Sequence, residues 1–181
     1  MSVSRILCFF AWCILLPQAL QAQRVPLRME LYPQVQYYGD SEWDGDVMIG
    51  IGATLIRQIK EKGALKTGIQ YGYASRTAGS ISLANLETGF GLYSKENQGG
   101  FFGDLLIKGG LERTRIEVPL VADVLVNNFF LGFELGTGYT FTFVSGVNLG
   151  VRLGAGIGTI DIEADPLILL RGGIVFSYQL N

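Results

Sequence analysis

Hydrophobic side chains recur at every second position through much of this chain, and the longest such stretch is residues 113–143. A strand places successive side chains on opposite faces, whereas a helix, with its period of about 3.6 residues, would scatter this pattern. We place the turn of a hairpin at Asn127-Asn128, because asparagine tolerates the positive φ of tight turns. The apolar faces of the two arms then carry Ile116, Val118, Leu120, Ala122, Val124 and Val126, and Phe129, Leu131, Phe133, Leu135, Tyr139, Phe141 and Phe143.

Both arms of this hairpin exceed the five or six residues that are usual for a strand in a soluble domain. A tilted strand of roughly 9–11 residues, at about 3.3 Å per residue, is long enough to cross the hydrocarbon core of a membrane. Residues 113–143 therefore predict a membrane-spanning β-hairpin.

The same alternation predicts further strands on both sides of this hairpin. They cover residues 28–38, 47–59, 64–75, 86–94, 147–160 and 170–180. Because Pro33 has no N–H to donate, the first of these strands should contain a bulge or a locally unpaired position. Residues 76–112 fit one strand, two strands or a long loop. With the two arms of the hairpin the count is eight, and an even count is usual for bacterial single-chain membrane barrels.

The first 22 residues have the form of a secretory signal peptide. Arg5 precedes an apolar run, and we place cleavage after Ala22, which leaves residues 23–181 as the predicted barrel domain. Both cysteines of the chain lie in this leader, so the predicted mature chain has neither disulfides nor thiol chemistry. Beyond the leader, no apolar run reaches the ~18 residues that a membrane-spanning helix needs.

Composition helps to decide what covers the apolar faces. The chain is apolar for an exported protein, with a mean hydropathy of +0.32 and 25 glycines, and its net charge of −2 is not that of a nucleic-acid-binding protein. Glycine dominates the polar faces of the predicted strands, with isolated Arg and Glu, whereas a water-exposed strand face favours Thr, Lys, Glu and Ser. Small residues beside long charged ones suit the narrow interior of an eight-stranded barrel.

We therefore predict an all-β fold, an eight-stranded antiparallel up-and-down transmembrane β-barrel, in the outer membrane of a Gram-negative-type bacterium. A soluble β-sandwich or a lipocalin-like barrel is the alternative, because alternation alone does not distinguish them. Aromatic residues should form a girdle near each rim of a membrane barrel. We place Tyr37, Tyr71, Tyr73 and Phe129 at the outer rim, and Tyr139, Phe141, Phe143, Phe176 and Tyr178 at the periplasmic rim.

Charged residues on the polar faces are expected to fill the barrel interior. Buried charges persist only when they are paired, and the two signs are nearly balanced, so the main prediction is a packed network of ion pairs. A narrow polar pathway, or a carboxylate pair such as Glu117 and Glu134 in acid–base catalysis, is the alternative. The predicted members are Arg28, Glu30, Lys66, Glu87, Arg113, Arg115, Glu117, Asp123, Glu134, Arg152 and Arg171.

Other chemistry has little support in the sequence. The absence of histidine excludes Ser-His-Asp machinery and His-based zinc sites. The glycine clusters at 50–55 and 154–158 lie inside predicted strands, not at a strand-to-helix turn, which argues against phosphate loops. Acids at alternate positions in one loop allow a weak divalent-cation site, although a solvated acidic loop is the simpler interpretation. These acids are Asp40, Glu42, Asp44 and Asp46.

Three segments carry a family resemblance. RIEVPL (115–120) and FFLGFELGTGY (129–139) resemble a strand pair of the porin-like outer-membrane β-barrel family that includes PorT-type proteins, and LRGGIVFSYQL (170–180) is similar to its final strand. The resemblance implies a β-barrel in the outer membrane, but it indicates no specific function. Such barrels commonly end on an aromatic residue, but this chain ends in QLN, so we expect the barrel-assembly machinery to recognise Phe176 and Tyr178.

The expected role is structural, or interaction through the loops, in contact with outer-membrane lipid and lipopolysaccharide. A narrow porin for small solutes and an accessory component of secretion or envelope assembly are the alternatives. We expect no cofactor, no nucleic-acid partner and no enzymatic activity.

Overall fold

A computed structural model describes residues 27–39, 45–95, 99–118, 122–143, 146–160 and 166–180. Its strands form a closed antiparallel barrel in which each strand pairs with its neighbours in sequence and β8 pairs with β1. No helix in these ranges is long and apolar enough to cross a membrane. The strands are β1 (Leu27–Gly39), β2 (Gly45–Gln58), β3 (Gly63–Arg76), β4 (Gly79–Tyr93), β5 (Gly100–Ile116), β6 (Val124–Thr142), β7 (Val147–Thr159) and β8 (Leu167–Leu180). The predicted fold class is confirmed.

The register of the strands tilts them around the barrel. A path that starts at Leu27 and passes through paired residues of every strand returns to β1 at Tyr37, ten residues further on. Such an offset requires strands inclined to the barrel axis. Leu27 and Leu180 are paired, so the first and last strands meet at one end, which we call the terminal end. The opposite end, where β1 meets β2 and β5 meets β6, is called the loop end.

Pro33 interrupts the ladder between β1 and β8. The pairs continue in one register from Leu31 with Phe176 to Gln34 with Gly173, and the two residues between them on β1 have no partner on β8. On its other side, Pro33 is opposite Ile51 of β2. The prediction of a locally unpaired position is confirmed, and the unchanged register shows that no bulge is present.

The predicted turn at Asn127-Asn128 is wrong. Both asparagines lie inside β6, opposite Arg113 and Glu112 of β5, and the connection between the two strands is residues 117–123. The early part of β6 extends beyond the pairing with β7, which begins at Leu131, and exposes side chains on both of its faces. Where both faces are exposed, hydrophobic alternation no longer identifies the inward side, and turn chemistry alone placed the hairpin wrongly.

Residues 76–112 contain most of two strands, β4 and β5, rather than one strand or a long loop. A two-residue connection joins β3 to β4, which begins at Gly79, where φ is +140° and a Cβ would lie 1.9 Å from the Arg115 carbonyl oxygen. At the loop end of β4 the polarity is inverted, because Ile81 and Leu83 face inward. This inversion removed the alternation by which the strand could have been recognised.

The outward faces of the strands are apolar and the inward faces are largely polar. Ile49 and Leu135 are exposed by 75% and 67%, although large apolar side chains are usually buried in water-soluble proteins. A soluble sandwich or lipocalin-like barrel would bury these faces, so that alternative is wrong. Exposed aromatic residues lie towards both ends of the barrel, as predicted: Tyr71, Tyr73 and Phe129 near the loop end, and Phe141, Phe143, Phe176 and Tyr178 near the terminal end.

Candidate functional site

The middle of the barrel interior contains eight charged side chains, four of each sign, which we call the interior network. They come from inward positions on seven of the eight strands, and each is exposed by 6% or less. Charges so deeply buried are stable only with partners, because removal from water costs several kcal/mol per ion. The members are Lys66, Lys108, Arg152, Arg171, Glu30, Glu87, Asp104 and Glu134.

Two arginines connect the carboxylates across the barrel. Arg171 pairs with Glu134 and, through Nη1, with Glu87 Oε2 at 3.3 Å. The Nη2 of Arg152 donates to Asp104 Oδ1 at 2.7 Å and lies 3.4 Å from Glu134 Oε1. Glu134 is therefore shared by both guanidinium groups.

Two lysines complete the pairing. Lys66 Nζ donates to Asp104 Oδ2 at 2.8 Å, lies 3.8 Å from Glu30 Oε2 and sits 4.8 Å from the centroid of the Phe102 ring. Lys108 Nζ pairs with Glu134 and lies 3.8 Å from Glu87 Oε2. Every carboxylate of the interior network is thus within ion-pair distance of at least one cation.

A neutral side chain is part of the same arrangement. The Tyr32 hydroxyl donates to Glu87, which also accepts from Thr54 Oγ1 at 2.8 Å. The Arg171 guanidinium carbon lies 5.2 Å from the centroid of the Tyr32 ring, and that of Arg152 lies 5.9 Å away, so both cations also contact its π face.

An apolar layer lies at each end of the interior network. The space between the network and the loop-end layer, bounded in part by Gln36, Leu83 and Phe130, is too small for a water molecule. The charged middle is therefore enclosed rather than open to solvent. The loop-end layer is Tyr38, Met48, Ala74, Ile81, Leu83, Phe130 and Leu169, and the terminal-end layer is Ile56, Ala64, Tyr93 and Phe102.

Seven of the eleven charges predicted to fill the interior do face inward and are buried. Six of them are members of the interior network, and the seventh, Arg28, lies nearer the terminal end of the barrel. These seven are Arg28, Glu30, Lys66, Glu87, Glu134, Arg152 and Arg171.

The assignment of Arg113, Arg115, Glu117 and Asp123 to the interior is wrong, because all four are exposed. Arg113 and Arg115 lie on the outward face of β5, in line with Leu111. Arg115 pairs with Asp123 across the end of the β5–β6 hairpin, and this hydrogen bond raises the pKa of Arg115. The error follows from the predicted turn at Asn127-Asn128, because a turn there would reverse the inward and outward faces of β5.

The proposed acid–base pair of Glu117 and Glu134 is also wrong. Glu117 is exposed just beyond the loop end of β5, whereas Glu134 lies within the interior network and is held by three cations. The two carboxylates do not share a site.

Sequence reasoning missed three inward-facing charges on β5, namely Asp104, Lys108 and Glu112. Alternation with Leu105, Ile107 and Leu111 was the signal that could have identified them. Glu112 lies beside the loop-end layer, where it accepts hydrogen bonds from the Tyr38 hydroxyl, Asn128 Nδ2 and Thr114 Oγ1.

The acidic loop is only partly described. Asp40, Glu42 and Asp44 lie outside the described residues, whereas Asp46 accepts from Arg76 Nε at 2.9 Å and pairs with the same guanidinium through a second nitrogen. Within the described ranges, no three acidic, histidine or cysteine side chains are grouped as metal ligands would be.

No family model and no curated protein matches this chain. Solved structures do match it. Ail, the attachment invasion locus protein of Yersinia pestis, aligns with a TM-score of 0.62 at 6% identity over 86% of this chain and 100% of that one. Neisserial surface protein A aligns with a TM-score of 0.56 at 11% identity over 85% and 97%. At such identities the likeness concerns the fold alone, and the fold of this chain is that of the eight-stranded outer-membrane β-barrels.

Proposed function

We propose that this protein is an integral outer-membrane β-barrel with a closed interior. It serves the envelope through its rigid body and its β5–β6 hairpin at the loop end, and not by conducting solutes. The observation that carries the proposal is the enclosed interior network, with an apolar layer at either end. Export through cleavage of the leader at residues 1–22, and insertion by the barrel-assembly machinery through Phe176 and Tyr178, belong to the same proposal.

Membrane residence is supported by the outer surface. Large apolar side chains such as Ile49, Leu92 and Phe101 are each exposed by more than 65%. A continuous surface of this kind in water would cause aggregation, whereas lipid covers it without cost. Closure of the barrel also leaves no unpaired sheet edge along its main body, which a membrane requires.

A closed interior is supported by the energetics of the network. A solute that passed between Glu134 and Arg171 would have to separate buried ion pairs, and breaking one such pair costs about 3–5 kcal/mol. An eight-stranded barrel is just wide enough for side chains to fill it. The porin alternative is therefore disfavoured.

An interaction role is supported by the β5–β6 hairpin. Its exposed residues include Ile116 of β5 and Val124, Leu125 and Val126 of β6. Early β6 pairs with β5, and its pairing with β7 begins only at Leu131. Apolar side chains on an extended strand are suited to a protein or membrane partner. An accessory role in secretion or envelope assembly, and membership of the PorT-type family, stay predictions.

The first experiment is mobility on a detergent gel with and without boiling, followed by single-channel recording of the extracted protein in planar bilayers. We expect a heat-dependent shift in mobility and no discrete conductance steps. Release of the mature chain as a soluble protein would contradict membrane residence. Reproducible conductance steps would instead contradict the closed interior and favour the porin. Crosslinking at position 125, followed by mass spectrometry, tests for a partner at the hairpin.

A further inference from the structure

The outer face of the barrel is not uniformly convex. A groove of about 470 Å³ crosses β1 to β5, and almost all of its lining is apolar. It follows two adjacent rows of paired, outward-facing residues. One row is Leu31, Ala53, Ile69, Leu86 and Gly109, and the next row towards the loop end is Ile51, Tyr71, Ala84 and Leu111.

Small residues create this groove, and packing of the barrel does not require the glycine among them. A Cβ at Gly109 would meet no atom closer than Phe129 Cζ at 3.8 Å, which is ordinary contact. At the neighbouring inward-facing Gly110, a Cβ would lie 2.1 Å from the Ala84 carbonyl oxygen. The fold thus requires glycine at position 110, whereas at position 109 the missing side chain only widens the groove on the outer face.

A basic position follows directly on the same face. Arg113 is the next outward residue after Leu111 on β5, about 7 Å further towards the loop end. Its partner on β4 is Ser82, which is opposite Tyr73 on β3. The Arg113 guanidinium is exposed and forms no ion pair with any residue in the described ranges, whereas its neighbour Arg115 is engaged by Asp123.

We propose that this face of β3–β5 binds one anionic membrane lipid, with its phosphate on Arg113 and a hydrocarbon chain in the groove. The planar guanidinium suits a phosphate because it can donate two parallel hydrogen bonds. The exposed charge of Arg113 and the apolar groove are arranged in the order in which a lipid presents its headgroup and its chain. The inference rests on the proposed membrane residence and adds a specific site to it.

A second copy of the chain fits this face less well than a lipid. A twofold dimer brings the same patch of both subunits together, so the groove at Ala84 and Gly109 would face an identical groove and leave a void. A flexible hydrocarbon chain has no such restriction.

The test uses the full-length exported protein, reconstituted in nanodiscs of equal parts dioleoyl phosphatidylglycerol and dioleoyl phosphatidylcholine. Native mass spectrometry counts the lipids that remain bound after release. We expect one retained lipid with phosphatidylglycerol in about three- to fivefold excess, as a single exposed charge pair would give. Arg113→Gln should remove this preference, and Lys95→Gln, which removes an exposed charge at the terminal end, should keep it.

The groove has its own pair of variants. Gly109→Leu should lower retention of both lipids. Gly103→Leu should not, although Gly103 is also an outward-facing glycine of β5 whose Cβ would meet no atom closer than 3.8 Å. Inorganic phosphate in excess should leave the bound lipid in place.

An unchanged lipid preference in Arg113→Gln, or equal retention in the two glycine variants, would overturn the proposal, as would loss of the lipid to inorganic phosphate. A doubled mass that Gly109→Leu abolishes would assign the face to a second copy instead. Failure of the wild type to enter nanodiscs with a heat-modifiable mobility would contradict membrane residence itself, which separates the two failures.

Discussion

Gly136 of β6 lies against Asp104 of β5, so closely that a Cβ at position 136 would come within 2.1 Å of the Asp104 Oδ1 atom. The carboxylate cannot simply move aside, because Lys66 and Arg152 hold its two oxygens. Glycine on an inward face is therefore part of the interior network, since it provides the space in which a buried ion pair forms.

The first prediction concerns this glycine. Gly136→Ala should destabilise the folded barrel by about 1–3 kcal/mol, because the added methyl group displaces Asp104 from its cations. Urea titration in detergent, with the folded fraction measured from the gel mobility of unboiled samples, reports the change. Gly103→Ala is the matched control, since its Cβ would meet nothing closer than 3.8 Å. Equal midpoints for the two variants would contradict the argument.

The second prediction tests the shared carboxylate. Glu134→Gln should cost about 3–5 kcal/mol, because it leaves Lys108, Arg152 and Arg171 with an excess of buried positive charge. Glu117→Gln, at the exposed end of the hairpin, should change stability by less than about 0.5 kcal/mol. The same urea titration compares them. If Glu134→Gln were as stable as Glu117→Gln, the interior would have to be hydrated.

Most of the architecture could be predicted from the sequence where one face is uniformly apolar. In β7, the exposed residues Leu149, Val151 and Leu153 alternate with Arg152 and glycines, and period two alone fixes both the strand and its orientation. The membrane assignment rests on the residues that alternate with the apolar ones, because glycines beside isolated charges are typical of a narrow packed interior.

The rest depended on contacts that alternation does not encode. Inward Ile81 and Leu83 belong to an apolar layer that closes the interior, so β4 lost its pattern at the point where its lining changes from charged to apolar. Arg113 presents the opposite case, a charge on an outward face beyond the apolar surface. In both cases, whether the side chain is polar or apolar depends on the position of the residue along the barrel axis, and not on whether it faces inward or outward.

The third prediction concerns the loop-end layer. Phe130 is fully buried against Tyr38, with ring centroids 6.0 Å apart, while its neighbour Phe129 faces outward. Phe130→Ala should destabilise the barrel by about 3–5 kcal/mol and still give no conductance in planar bilayers, because the interior network remains. Phe129→Ala should have little effect on stability. Conductance in Phe130→Ala alone would show that this layer, and not the charges, closes the interior.

The fourth prediction tests the register of the hairpin, which decides whether Asn127 and Asn128 form a turn or a strand. Thr114 and Val126 are directly opposite in the structure, and opposite residues of an antiparallel pair have Cβ atoms about 4.5–5.5 Å apart, close enough for a disulfide after a small adjustment. Because both native cysteines lie within residues 1–22, Thr114→Cys with Val126→Cys should crosslink under mild oxidation. Trypsin cleavage at Arg115 followed by mass spectrometry identifies the linked peptides.

A turn at the asparagines would instead bring Val126 opposite Phe129. If Val126→Cys crosslinked with Phe129→Cys but not with Thr114→Cys, the hairpin with its turn at Asn127-Asn128 would be correct, and Arg113 would face the barrel interior.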